Sequence, residues 1–327
     1  MSEYAPRNVH RIAVLGLGSI GSRHVCNARH LGLEVVGYDP CAGAAHDLPA
    51  EGFVRADSAA AALADADAAV IASPSGQHLD DLAQAIRAGC PALVEKPIGH
   101  DPDRTARLLD EAAAAKLQVG AAFNLRCRSV VRAVQARARD RLGDFVWARF
   151  VSASWLPDWR PGTDYRSGYA NQPESGGVVF DVIHEIDLAA FLIGPAEIAS
   201  SVTRQSGRLE LKTEDTAEIL LQHAGGCLSS LHLNFASPVR RRAIEICGTA
   251  GFVAADLRSG EITWRNPDGD VADEESTTID PNAEYQAVLA DFLSALAQGA
   301  APASDGHVGL AAVRLAHRAR NMASAGN

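Results

Sequence analysis

The chain has 327 residues, 47% of them apolar and 21% charged, which is enough for two domains and a large core. Its formal charge of −10 gives no electrostatic footprint for nucleic acid or an anionic membrane, and no apolar segment approaches a membrane span. The N-terminus lacks the apolar stretch of a signal peptide, and the six cysteines form no C-x-x-C pair; a cytoplasmic enzyme without disulfides or a metal site is expected.

Residues 12–15 are an apolar run, followed by a glycine-rich turn and a helix predicted over 19–31. Strands are predicted over 34–38, 68–72 and 92–95, the last two followed by helical stretches, and 119–123 adds another. Asp101 is a good N-cap for one helix, with Pro102 at its first position. Strands alternating with helices imply a doubly wound parallel sheet covered on both faces.

After about residue 124 the pattern changes. A helix is predicted over 129–142, then a long alternating strand in "DFVWARFVSAS", a Pro/Gly/Trp-rich loop over 155–175 and one helix over 178–192. Strands near 197–206, 216–222, 227–235, 241–248 and 251–256 indicate an antiparallel sheet. Helices over 282–298 and 308–322 follow. The expected layout is an α/β chain with a Rossmann domain over 1–124. A second, α+β domain with an open, mainly antiparallel sheet then covers 125–327, the last helix free to pack back on the first domain. An open sheet needs cover on its outer face, so a homodimer or homotetramer through that sheet is expected.

"AVLGLGSIGSRH" contains G-x-G-x-x-G as Gly16, Gly18 and Gly21, after a strand and opening a helix. Gly16 permits the tight turn and Gly18 the approach of a pyrophosphate, which sits on the helix N-terminus at Ser19 and Ile20. Gly21 allows the helix to pack closely on the strand. The second strand ends in Asp39, 18 residues after Gly21, where a carboxylate can accept both ribose hydroxyls. A 2′-phosphate would meet a like charge there, and Pro40 and Cys41 offer no cation, so NAD is favoured over NADP. In "ASPSGQH", Ser73 and Pro74 could lie along the nicotinamide ribose. His78 is a candidate contact, although a lone histidine is more often a helix-start residue.

The glycine pattern, "ASPSGQH", "VEKP" and "AFNLRC" occur in this order and at the expected spacing. With them the sequence resembles the Gfo/Idh/MocA oxidoreductases, most strongly over the first 125 residues and again over 155–192. The resemblance implies that Glu95, Lys96 and Pro97 lie beside the nicotinamide, often with a cis lysyl–prolyl bond, and that Asn124 and Arg126 lie near cofactor and substrate. A lysine at a strand's carboxyl end can touch a substrate hydroxyl and stabilise the alkoxide character that develops as hydride leaves. Proline aims it. The plainer reading is a strand end surfacing into solvent.

A proton acceptor is also needed. "SGGVVFDVIHEIDLAAF" offers Asp181, His184 and Asp187 at i, i+3 and i+6 on one predicted helix face, with Glu185 beside them. An imidazole suits general-base work and an acid can orient it. The commoner family pattern puts the aspartate four residues before the histidine; here the gap is three and Phe180 fills the other place. Either Asp181 or Asp187 could support His184. In "WLPDWRPGTDYR", Trp159 could stack on a sugar ring, Tyr165 offers a hydroxyl, and Arg160 or Arg166 could hold an acid group. Residues 240–242, three arginines, read as a solvated sheet edge or subunit contact.

The expectation is an NAD-dependent dehydrogenase of a sugar, cyclitol or sugar derivative. The alternatives are a glycosidase that oxidises transiently with retained NAD, and a non-catalytic NAD-binding regulator.

Overall fold

A computed structural model describes residues 4–41, 48 and 52–324, and the chain divides into two compact units. The first is Met1–Asn124 with Asn282–Val313, the second Leu125–Pro281 with Arg314–Asn327.

The first unit holds six parallel strands: β1 (Arg11–Leu15), β2 (Glu34–Tyr38), β3 (Phe53–Arg55), β4 (Ala68–Ile71), β5 (Ala92–Glu95) and β6 (Val119–Ala122). Their order is β3-β2-β1-β4-β5-β6. The chain runs outward from β1 to one side, then returns to its other side at β4, and such a reversal opens a crevice at the strands' carboxyl ends. Both β4 and β5 are buried throughout, as continuous apolar runs covered on two faces should be. Helices α1 (Ser19–His30), α2 (Ala59–Leu63), α3 (His78–Arg87) and α4 (Pro102–Ala114) connect them. Asp101 caps α4, accepting the amides of Asp103 and Arg104. Strand β3 escaped the sequence reading because three residues carry no periodic signal.

The second unit opens with α5 (Ser129–Leu142), then the long strand β7 (Phe145–Trp155). The single helix expected over 178–192 is instead two, α6 (Val178–Asp181) and α7 (His184–Leu192). Val182 leaves the helical region at φ −103° and ψ 31°, and two successive β-branched residues, Val182 and Ile183, sit at the break. Asp181 therefore closes one helix and His184 opens the next. The sheet continues with β8 (Ala196–Arg204), β9 (Thr216–His223), β10 (Leu228–Asn234), β11 (Ala236–Gly248), β12 (Gly251–Asp256), β13 (Glu261–Arg265) and β14 (Val271–Ser276). Its order is β14-β13-β12-β11-β7-β10-β9-β8, antiparallel except where β10 runs parallel to β7. The acid-rich β14 lacks an apolar alternation, and so was not read as a strand. On one face the apolar side chains of Trp147 and Leu228, paired across β7 and β10, are exposed.

Two further helices, α8 (Ala283–Gln298) and α9 (Gly306–Ser324), end the described chain. Leu289, Phe292 and Leu296 of α8 enter the first unit's core beside Ile12, Val14 and Val70. Gly299 ends α8 in the left-handed conformation, a position that favours glycine. Among the described residues no helix is long and apolar enough to cross a membrane.

Candidate functional site

The glycine loop after β1 leaves no room for side chains. A Cβ on Gly16 would sit 2.3 Å from the Ser73 nitrogen, and one on Gly21 would sit 1.8 Å from the Gly16 carbonyl oxygen. Gly18 differs: nothing lies within 4 Å of where its Cβ would be, so this side of the turn is open. Gly18 is also the N-cap of α1, with no side-chain cap, and the first-turn amides around Ser19 and Ile20 point to that opening. Asp39 accepts the Leu17 amide on one oxygen and the Cys41 amide on the other, each at 2.8 Å. Each carboxylate oxygen keeps a further lone pair. The cradle and its acid fit a dinucleotide. Arg55 on β3 donates to the carbonyls of Asp39 and Cys41, at 3.0 and 2.7 Å. Sequence reading missed this cation because strand pairing, not chain proximity, brings it there.

Beyond β4, Ser73 donates to Asp81 at 2.6 Å, and burial pushes the Asp81 carboxyl above its usual range. Pro74 precedes a short turn that leads into α3. The His78 ring is fully buried, with Nδ1 2.7 Å from the Pro97 carbonyl and Nε2 2.8 Å from the Ser73 carbonyl. Burial lowers its pKa while the two carbonyls oppose that shift. Both nitrogens face backbone carbonyls, and the neutral ring donates to one of them at a time. His78 is thus a strut between two loops rather than a hydrogen-bonding partner for a nucleotide.

Lys96 is half-buried at the end of β5, and its bond to Pro97 is cis. Its amide donates to Glu95 Oε2 at 3.2 Å. The other Glu95 oxygen lies 2.9 Å from Nε2 of His24, a fully buried residue of α1. The His24 ring meets Tyr285 edge-on at 5.9 Å. Asn124 donates to Glu284 at 2.9 Å, and Asn27 and Asn282 exchange amide hydrogen bonds at 3.2 and 2.9 Å. The first turn of α8 and the cofactor helix therefore hold the two residues, Glu95 and Asn124, that flank the lysine strand and its neighbour. Nothing in the sequence pointed to these partners, which lie 71 and 160 residues away along the chain.

In the second unit, Asp181 and His184 are buried, as are Glu185 and Asp187. Each of the last two is gripped by an arginine. Arg242 donates to both oxygens of Glu185 at 2.6 and 3.1 Å. Arg126 donates to Asp187 at 2.6, 2.9 and 3.1 Å and lies over the Phe191 ring at 4.7 Å. Burial pushes the Asp187 carboxyl up to about 6, with the Arg126 guanidinium opposing. Asp187, a candidate support for His184 and for substrate contact, and Arg126, expected near cofactor and substrate, are thus paired with each other.

Trp159 donates to Ser154 at 2.9 Å and meets Phe235 edge-on at 5.2 Å. With Arg160, Tyr165 and Tyr169 it lines a cavity of about 50 Å³. The Tyr165 hydroxyl accepts the Glu210 amide at 3.2 Å, and Arg166 pairs with Asp164 and Glu210 at 2.8 and 3.1 Å. These two residues fasten the loop to its neighbour. Among the described residues no group of three His, Cys, Asp or Glu side chains could hold a metal ion.

Residues 10–123 match the model of an oxidoreductase family with an NAD-binding Rossmann fold, and residues 130–254 match that family's C-terminal domain. The chain belongs to the Gfo/Idh/MocA family. It is an oxidoreductase, and NAD is its cofactor, as the glycine loop and Asp39 imply. Inositol 2-dehydrogenase of Rhizobium meliloti is 29% identical over 94% of this chain and 95% of its own. The 1,5-anhydro-D-fructose reductase of Ensifer adhaerens is 28% identical over 75% of this chain and 74% of its own. Levoglucosan dehydrogenase in complex with NADH superposes with a TM-score of 0.85 at 17% identity, covering 96% of this chain and 97% of that one. An Agrobacterium radiobacter oxidoreductase, solved with NAD+, L-tartaric acid and magnesium, gives 0.83 at 21% identity, covering 97% of each. At such identities the structural likeness carries the fold alone.

Proposed function

We propose that this oxidoreductase oxidises a secondary alcohol of a sugar, cyclitol or sugar derivative, or reduces the matching ketone. Bound NAD supplies the hydride acceptor. The observation that carries the reading is Lys96, fixed at the carboxyl end of β5 by Glu95 and Pro97 in the unit whose glycine loop and Asp39 fit the dinucleotide. The names of the relatives, inositol 2-dehydrogenase and 1,5-anhydro-D-fructose reductase, favour a polyol or sugar.

In this reading the Lys96 ammonium holds the substrate oxygen and offsets its growing negative charge. His184 takes the hydroxyl proton. Asp181 orients the imidazole, because both oxygens of Asp187 are committed to Arg126. Ser73, Pro74, Glu95 and Asn124 shape the nicotinamide side, and Trp159 with Arg160 contributes to a substrate wall. The setting is cytoplasmic, and a second copy covers the sheet face bearing Trp147 and Leu228, giving a homodimer or homotetramer. Light scattering of the purified protein reads that assembly, and a monomeric mass at working concentration refutes it.

The test is NADH formation from NAD with a panel of sugars, cyclitols and sugar acids. Turnover of one class, lost at least about a hundredfold in Lys96→Met while NAD binding persists, is expected. Undiminished turnover in that variant removes Lys96 from the chemistry.

A further inference from the structure

The acid of the cofactor cradle is fastened from the neighbouring strand. Strand β3 pairs in parallel with β2, Gly37 standing opposite Arg55, and the Ala56 amide donates to the Gly37 carbonyl at 2.9 Å. Parallel pairing brings the carboxyl ends of both strands to the same edge of the sheet. The packing there is close, since a Cβ on Gly37 would sit 2.6 Å from the Phe53 ring and 2.7 Å from Leu17. Arg55, the last residue of β3, is thereby delivered to the segment that follows β2.

That segment, residues 39–41, has left the ladder, and its backbone groups need other partners. The Asp39 carboxylate takes the Cys41 amide on Oδ1 and the Leu17 amide on Oδ2, each at 2.8 Å. Pro40 between them has no N–H to offer. The carbonyls of Asp39 and Cys41 both accept from one nitrogen of Arg55, Nη2, at 3.0 and 2.7 Å. The aim of the carboxylate thus depends on Cys41, and Cys41 is held by Arg55. Without that hold the segment can turn, withdraw the Cys41 amide and let the carboxylate swing to another rotamer.

We propose that Arg55 is a positioning residue for nucleotide recognition. By fastening Asp39 and Cys41 it keeps the carboxylate where the adenosine ribose hydroxyls bind and where a 2′-phosphate is repelled, so it sustains the preference for NAD over NADP. An arginine that read a 2′-phosphate directly would have the opposite effect on that preference. The inference rests on Asp39 as the ribose acceptor and not on which alcohol is oxidised.

Calorimetric titration with NAD, ADP-ribose and NADP compares the wild type with Arg55→Gln, Arg55→Lys and Asp39→Ala. In Arg55→Gln the Kd values for NAD and ADP-ribose should rise together by about fivefold, while that for NADP rises by less than about twofold. Matching losses for NAD and ADP-ribose place the effect on the adenosine half. Arg55→Lys should recover most of the affinity, because both bonds leave a single nitrogen and an ammonium can donate to both carbonyls. A loss for NADP as large as that for NAD overturns the proposal, as does a loss for NAD that ADP-ribose does not share. Unchanged NAD binding in Arg55→Gln overturns it as well.

Urea unfolding of the ligand-free protein separates positioning from folding. The Arg55→Gln midpoint should match the wild type; a lowered midpoint with uniform losses for all three ligands assigns Arg55 to the stability of the first unit and overturns the proposal. In the Asp39→Ala background Arg55→Gln should add nothing for NAD, since the group it positions is gone, and additive losses refute the link. Asp39→Ala with undiminished NAD binding sinks the ribose reading and the proposal with it. If Asp39→Ala weakens NAD by about tenfold and Arg55→Gln does not, the ribose reading stands and the role of Arg55 alone falls.

Discussion

Each unit buries carboxylates beside the residue proposed to do its chemistry, and the two hold them differently. In the first, Glu95 spans an imidazole and a backbone amide: His24 on one oxygen, the Lys96 N–H on the other. In the second, Glu185 and Asp187 are locked by Arg242 and Arg126 through paired guanidinium bonds. An imidazole can change tautomer and an amide carries no net charge, so the first arrangement orients its carboxylate by directional hydrogen bonds from an imidazole and an amide. An arginine cannot give up its proton, so the second fixes full charges in the interior. One system is tuned for aim, the other for rigidity.

The largest break in that comparison is Arg126→Met. It leaves Asp187, 2% exposed, without its guanidinium, and a loss of about 3–5 kcal/mol in urea unfolding is expected. A loss under about 1 kcal/mol would mean the pair is not the lock described. The pH dependence sharpens the point. Asp187 is raised from 3.8 to about 6, so between those values the folded protein binds more protons than the unfolded chain. Its contribution to stability is fully present below the lower value and is lost as pH rises through about 6. With the guanidinium gone, burial acts unopposed and that window extends upward. Unfolding curves of the variant taken between pH 5 and pH 8 should therefore show a stability deficit that grows with pH.

Glu95→Gln probes the other system and should cost less stability. The amide keeps an acceptor for Lys96 but must donate to His24, forcing the ring proton onto Nδ1, where no partner lies. A penalty of about 1–3 kcal/mol in unfolding follows. Its clearer signature is kinetic: kcat lower by about tenfold with the KM for NAD within about twofold, because a displaced lysine fails in the transition state. If the KM for NAD rises while kcat holds, Glu95 serves the cofactor instead of the lysine.

Much of the first unit was legible because its chemistry is local. A glycine at φ +87°, an acid at a strand end and a lysine before proline each act through their immediate neighbours in the chain. What holds them was not legible. His24 meets Glu95 across 71 residues, and Glu284 meets Asn124 across 160. The same limit applied to the arginines, since Arg126 finds Asp187 across 61 residues and Arg242 finds Glu185 across 57. Counting i, i+3 and i+6 along 178–192 assumed an unbroken helix, and the turn at Val182 divides it between Asp181 and His184. Tyr165 and Arg166 carried the right functional groups for a substrate, but the neighbouring loop at Glu210 uses them. Residue type marks what a side chain can do; distant partners decide whether it is already occupied.

The buried ring of His78 joins the Ser73 carbonyl to the Pro97 carbonyl, one loop after β4 and one after β5. The ring donates to one of these carbonyls at a time and packs against the other, so the loops after β4 and β5 share one buried contact. A smaller side chain at this position would take that contact from both, and the segments at Ser73 and Pro97 would loosen together.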